Sequence, residues 1–135
     1  MEKQASLISY SATTNDIHIT ALPRFIPQES YPDRHLYAFA YTIQIENHGT
    51  ELVQLLNRHW VIFSGGVQYA EVRGDGVIGE QPFLQPAEAF QYTSGCVIKD
   101  PVGSMHGEYT FISSEGGLFE VSIPRFDLIY PELIH

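Results

Sequence analysis

The chain has only one cysteine, Cys96, so no disulfide can form within it. A lone thiol of this kind reads as a small buried hydrophobe. No run of about 18 apolar residues occurs, which removes a membrane-spanning helix and with it a direct transporter. No basic-then-apolar leader opens the sequence, so a soluble cytoplasmic protein is expected. Positive charge is scarce as well. Seven Lys and Arg stand against sixteen Asp and Glu, a formal net charge of -9 at pH 7. A surface of that sign repels phosphodiester backbones and anionic headgroups, so neither nucleic acid nor a membrane is an expected partner.

Helical periodicity is missing too: no stretch longer than two turns carries it. The chain is instead rich in β-favouring bulk, with eight Tyr, eight Phe and one Trp. Its 135 residues suit a single domain, 1–135, with one core.

Residues 1–10 have weak periodicity, and Leu7, Ile8 and Tyr10 are candidates for the start of an edge strand. Residues 17–22 alternate as a strand, with Pro23 and Pro27 marking an edge or an exit, and 27–33 read as a loop. The clearest strand is 36–46, where Tyr37, Phe39, Tyr41, Ile43 and Ile45 share a face. Asn47, His48, Gly49 and Thr50 supply turn chemistry, and with a strand at 52–63 the pair reads as a hairpin. Gly65 and Gly66 suit a primed two-residue turn into a strand at 67–72. Further strands are expected at 90–94, 105–111 and 118–123, the last entered through a hairpin closed by Glu115-Gly-Gly and stopped by Pro124. Seven or eight short strands with Gly, Asn and Pro turns indicate antiparallel sheets covering each other's apolar faces. The connection 74–88 is long enough to cross between them, so a sandwich is preferred to a barrel. Trp60 is expected as a plug between the sheets.

The segment 71–82 holds Gly74, Gly76 and Gly79 at the spacing G-x-G-x-x-G. In a dinucleotide fold those glycines precede a helix whose free N–H groups hold pyrophosphate. Here Pro82 and Pro86 follow, no helical period appears, and Asp75 between the glycines repels phosphate. A structural crossover is therefore favoured. A small anion nest of Arg73, Gly74, Gly76 and Gly79 is the alternative.

Other chemistry is thinly supplied. Glu71, Asp75 and Glu80 are close in sequence but do not follow a calcium-loop pattern. His18, His35, His48, His59, His106 and His135 lack transition-metal spacing. Ser94, Ser104 and Cys96 have no recognisable base and acid partners. No catalytic residue, metal ligand or cofactor is expected. If strand register holds, Arg58 points the same way as Trp60, so a bulge, an acid or a carbonyl must satisfy its guanidinium. Arg58 and His59, with His106 and Glu108 further on, are the candidates for touching a partner.

Several stretches together resemble one family. They are Tyr37-Ala-Phe-Ala-Tyr-Thr-Ile-Gln-Ile-Glu-Asn47, Val53-Gln-Leu-Leu-Asn-Arg-His-Trp60 and Val72-Arg-Gly-Asp-Gly-Val-Ile-Gly-Glu-Gln-Pro82. Phe90-Gln-Tyr-Thr-Ser-Gly95, Pro101-Val-Gly-Ser-Met-His-Gly-Glu-Tyr109 and Phe119-Glu-Val-Ser-Ile-Pro124 continue the series. In order and spacing, about residues 10–128 resemble ApaG, also called CorD. The resemblance implies an immunoglobulin-like or fibronectin type III-like β-sandwich. It also implies a link to cobalt resistance and magnesium flux without a defined reaction for bacterial members, and a protein-interaction role like that of eukaryotic relatives such as an F-box ubiquitin-ligase subunit. At Pro86-Ala87-Glu88 the family usually has Pro-Gly-Glu, and alanine there suggests a type I turn without positive φ. The leading expectation is a non-enzymatic module that binds a protein through loops and an exposed strand edge, with homo-oligomers through the same edges. The alternative is a binder of pyrophosphate or a nucleotide at the Gly74 to Gly79 loop.

Overall fold

The computed structural model describes residues 7–133. Residues 1–6, which carry part of the N-terminal expectation, and His135 lie outside the described residues. Among the described residues nine strands form: β1 (Tyr10–Thr14), β2 (Ile17–Phe25), β3 (Tyr37–Asn47), β4 (Val53–Ser64), β5 (Val67–Asp75), β6 (Phe83–Leu84), β7 (Ala89–Ile98), β8 (Val102–Ser113) and β9 (Leu118–Ile129). One sheet has the order β1-β2-β3-β7, and the other runs β5-β4-β8-β9 with β6 also on β4. All pairings are antiparallel. β1 begins at Tyr10, a candidate for the start of an edge strand, while the two-residue β6 is too short to carry a period and goes beyond the seven or eight strands expected. Among the described residues no helix is long and apolar enough to cross a membrane.

Period-two alternation is what joins the sheets. β3 buries Tyr37, Phe39, Tyr41, Ile43 and Ile45, and β8 buries Met105, Tyr109 and Phe111. Trp60 is 3% exposed, with Tyr41, Tyr109 and Phe126 ring centroids at 5.3, 6.3 and 5.9 Å. Burying each such side chain contributes about 1.5–3 kcal/mol. The main chains approach closely where Gly107 lies opposite Trp60, so that a Cβ there would run into the His59 carbonyl oxygen.

Four expectations need correction. β3 and β4 are not a hairpin, since they belong to different sheets. Asn47, 1% exposed, makes the crossing: its Nδ2 donates to Glu51 O (2.8 Å) and Leu84 O (3.0 Å), and its Oδ1 accepts from Gly49 N–H (2.9 Å). Pro23 does not end β2, which is an interior strand; its pairing with β1 stops at Ala21 while that with β3 continues to Phe25. Pro23 thus sits where one side of the strand is open and no donor is missed. Pro124 likewise lies inside β9, at an irregularity opposite Met105 and Gly107 on an outer strand. Finally, Ala87 has φ +72, and Glu88 N–H donates to Gln85 O at 3.0 Å. This is the positive-φ geometry of a type II turn, held because Ala87 N–H also bonds Asn47 O (2.8 Å).

The hairpins at 64–67 and 113–118 form as read, Gly65 and Gly66 both with positive φ. The 74–88 connection does cross from one sheet to the other. β9 packs on β1 and β2, with Ser122 N–H donating to Thr14 Oγ1 (3.3 Å). Among the described residues, β5 and β7 are left as the free edges.

Candidate functional site

The outer face of the five-stranded sheet carries the densest polar chemistry. On β4, His59 has Arg73 of β5 and Glu108 of β8 as register partners, and Glu71 is the next outward residue along β5. His59 Nδ1–H donates to Glu108 Oε1 (2.6 Å), and Nε2–H donates to Glu71 Oε2 (2.6 Å). Neutral imidazole has one N–H, so both bonds together describe the imidazolium. The bond to Glu108, and after it the bond to Glu71, hold His59 above its ordinary pKa, against a smaller opposing effect of burial. His59 in turn keeps the Glu71 carboxyl below its ordinary value. Arg73 Nη2 adds a bond of 3.3 Å to the same Glu71 oxygen. Three strands are thereby tied across one face.

Arg58 points the other way, as register with Trp60 requires. A bulge at Leu56 disturbs the β4–β8 ladder, and no acid pairs with the guanidinium among the described residues. Carbonyls satisfy it instead: Arg58 Nη1 donates to Asp75 O (3.0 Å) and Gly76 O (2.9 Å). Nearby, Tyr92 and Tyr109 share a buried hydroxyl bond of 2.5 Å. Burial pushes the phenols of Tyr41, Tyr92 and Tyr109 upward, and the Arg58 charge opposes this at each.

The glycine segment is absorbed into this framework. Gly74 pairs with Arg58 in the β4–β5 ladder. Gly76 N–H donates to Leu56 O (2.8 Å), and a Cβ there would strike the Glu80 carbonyl oxygen. Val77 and Glu80 exchange both backbone bonds (2.8 and 2.9 Å) around Ile78 (φ +42) and Gly79 (φ +79), a primed turn. Val77 is buried in the core, while Ile78 is 55% exposed. A β-branched residue at positive φ is strained, and here the strain presents an apolar side chain to water.

Arg58, His59, Arg73, Gly74 and Glu108 line one open depression of about 370 Å³, together with Asn57, Asp75, Thr110 and Glu120. Gly76 and Gly79 lie in the adjoining turn. His106 is on the same face but further along, opposite Val61, and stacks on Phe63 at 5.8 Å. Glu71, read from sequence only as a possible cation ligand, is the second partner of His59. Asn57, Thr110 and Glu120 carry no signal of their own in the sequence, because only strand register places them beside His59. Among the described residues, no group of three or more His, Cys, Asp or Glu is placed to hold a metal. His18 and His48 stack at 5.6 Å and bond Thr13 and Glu46. The Cys96 thiol is pushed up to about 12 by burial and lies 3.6 Å from Met105 Sδ. A larger depression of about 460 Å³, at the loops around Asn47 and Glu51, holds none of the candidate site residues.

Sequence reasoning also misses an apolar margin. Val67, Tyr69, Val72, Ile78 and Phe83 are all exposed, and all belong to β5, β6 or the turn between them. β5 and β6 lie on the same side of β4, so this row follows one free edge of the sheet. No signal in the sequence marks it: the side chains of β5 read as ordinary strand formers, and only the fold leaves all of them exposed or half-buried.

Strand order, pairing and core together define an immunoglobulin-like, fibronectin type III-like β-sandwich domain. Residues 27–113 match the family model described as the ApaG domain. The chain is 48% identical over 124 residues to Protein ApaG of Methylobacterium sp. (strain 4-46), covering 92% of this chain and 95% of that one. With Protein ApaG of Caulobacter vibrioides it shares 46% identity, covering 91% and 88%. A crystal structure of the Bordetella pertussis protein described as ApaA superposes with a TM-score of 0.83 at 44% identity, covering 86% of this chain and 94% of that one. The chain belongs to the ApaG family.

Proposed function

We propose that this domain is a non-enzymatic module that binds a protein partner along the margin formed by β5, the 76–80 turn and β6. The observation that carries the reading is the row of exposed apolar side chains on that free edge, with Phe83 63% exposed and Ile78 held out in a strained turn. A sheet edge offers unpaired backbone groups, and exposed apolar side chains along it favour association. The Glu71, His59 and Glu108 row stiffens the face behind the edge, and its charge selects the partner. The family's association with cobalt resistance and magnesium flux is then indirect, acting through the protein bound.

The test uses the double substitution Ile78→Ser with Phe83→Ser. Both side chains are exposed, so the domain stays folded. The wild type is expected to recover a discrete, saturable partner from its own cell extract, and the double variant to lose it. Equal recovery by both removes the margin as the binding surface.

A phosphate-binding loop has less behind it. Gly76 N–H is already donated to Leu56 O, and Asp75, Glu108 and Glu120 line the depression beside Arg73.

A further inference from the structure

β5 ends its sheet, and among the described residues no strand lies beyond it. The direction of its backbone groups can be followed from one bond. Gly76 N–H donates across to Leu56 O, and antiparallel bonding alternates, so Val72 and Gly74 also turn their groups toward β4. Glu71, Arg73 and Asp75 therefore turn theirs outward. The regular part of this edge is short. The β4–β5 register shifts between Ile62 and Phe63, leaving Tyr69 unpaired, and the chain turns away after Asp75. Residues 70–75 remain straight.

We propose that this edge pairs antiparallel with β5 of a second copy of the chain, about a two-fold axis through Val72. Charge fixes the register. Only outward-facing residues can exchange bonds across the new ladder, so the axis passes through a residue and not between two; through Gly74 only residues 73–75 could pair, which leaves Glu71, Val72 or Arg73 in the straight stretch. Through Glu71, that carboxylate meets its own copy and the Tyr69 irregularity enters the ladder. Through Arg73, two guanidinium groups meet and Glu71 faces Asp75. Through Val72, Glu71 of each copy faces Arg73 of the other, giving two complementary pairs on the face where these residues already lie 3.3 Å apart within one chain. Val72, 37% exposed, then covers its own copy at the axis. The two five-stranded sheets join into one continuous sheet.

This names an occupant for the margin and rests on reading that margin as an interaction edge. The ladder is short, and each chain carries a formal net charge of -9, so the pairing is weak and strengthens as salt screens long-range repulsion.

The axial position supplies the test. Across a non-hydrogen-bonded antiparallel pair the Cα atoms are about 4.5 Å apart, within disulfide reach. Val72→Cys is expected to form a disulfide-linked dimer on mild oxidation. Ala70→Cys, on the same strand face but opposite Gly74 in this register, is expected to form little. Sedimentation of the full chain gives the second arm. Arg73→Glu and Glu71→Arg should each associate at least tenfold more weakly than the wild type, and their equimolar mixture should recover association. The proposal is overturned if the wild type stays monomeric at millimolar concentration, if the Ala70→Cys and Val72→Cys variants cross-link equally, or if the charge variants associate like the wild type. A monomer whose Ile78 and Phe83 still capture a different protein loses self-pairing alone and keeps the proposed function.

Discussion

Arg58 and Gly74 face each other across the β4–β5 ladder, and the guanidinium of the first fills the space a side chain on the second would need. A Cβ at position 74 would lie 2.8 Å from Arg58 Nη1. The glycine that opens the G-x-G-x-x-G spacing is therefore explained by an arginine of the same chain. Gly74→Ala displaces the guanidinium from the Asp75 and Gly76 carbonyls and should cost about 1–3 kcal/mol. In an Arg58→Ala background the same change should cost much less, because the space is empty. Urea unfolding of the four proteins measures the coupling.

The His59 row predicts a pH window. His59 is raised above its ordinary 6.5, so its contribution is full below that value and is lost as pH rises through the folded pKa. Glu71 is lowered from 4.5, so its contribution is full above that value and is lost as pH falls through the folded pKa. The row is strongest between about 4.5 and 6.5. Relative to His59→Gln, the wild type should be most stable in that window and lose its advantage toward alkaline pH. An NMR titration of the His59 ring should show Glu108→Gln lowering its pKa more than Glu71→Gln does.

Tyr92 and Tyr109 predict a non-additive pair. Tyr92→Phe leaves the Tyr109 hydroxyl buried without its partner and should cost about 1–3 kcal/mol. Adding Tyr109→Phe removes the orphaned group, so the double variant should be no less stable than the worse single one. Denaturant midpoints at constant slope decide it.

Ala87 predicts a gain. Its φ of +72 suits glycine and costs alanine roughly 1 kcal/mol. Ala87→Gly should raise stability by about that amount. An unchanged or lower melting temperature would count against a strained turn at 85–88.

The strands were legible in the sequence because their alternation is direct evidence of a half-buried sheet, as in β3, where every second residue from Tyr37 to Ile45 is buried. The two hairpins at Gly65 and Gly116 were legible because their turns carry their own chemistry. Sheet membership was not. Asn47 and Gly49 look the same whether the chain reverses within a sheet or crosses to the other one, and only the distant Leu84 carbonyl settles which. Proline misleads for a similar reason: Pro23 and Pro124 stop a strand only where a donor is needed, and neither faces such a demand. Part of the candidate site was visible as Arg58, His59, Arg73 and Glu108. Their grouping was hidden, since His59 meets Glu71 and Glu108 through register across two different ladders, at separations of 12 and 49 residues. The apolar margin was hidden because exposure of Val72 or Phe83 depends on β5 and β6 having no further neighbour among the described residues.

If the edge of β5 and β6 meets another protein in the cell, site-specific photo-crosslinking in living cells will capture the contact. A photoreactive side chain is placed at Ile78, at Phe83 and, as reference, at the exposed Gln91 of the other sheet. Discrete adducts of fixed mass are expected from Ile78 and Phe83, and none of that mass from Gln91. Equal labelling from all three positions, or no discrete adduct from the margin, would rule this edge out as the binding surface.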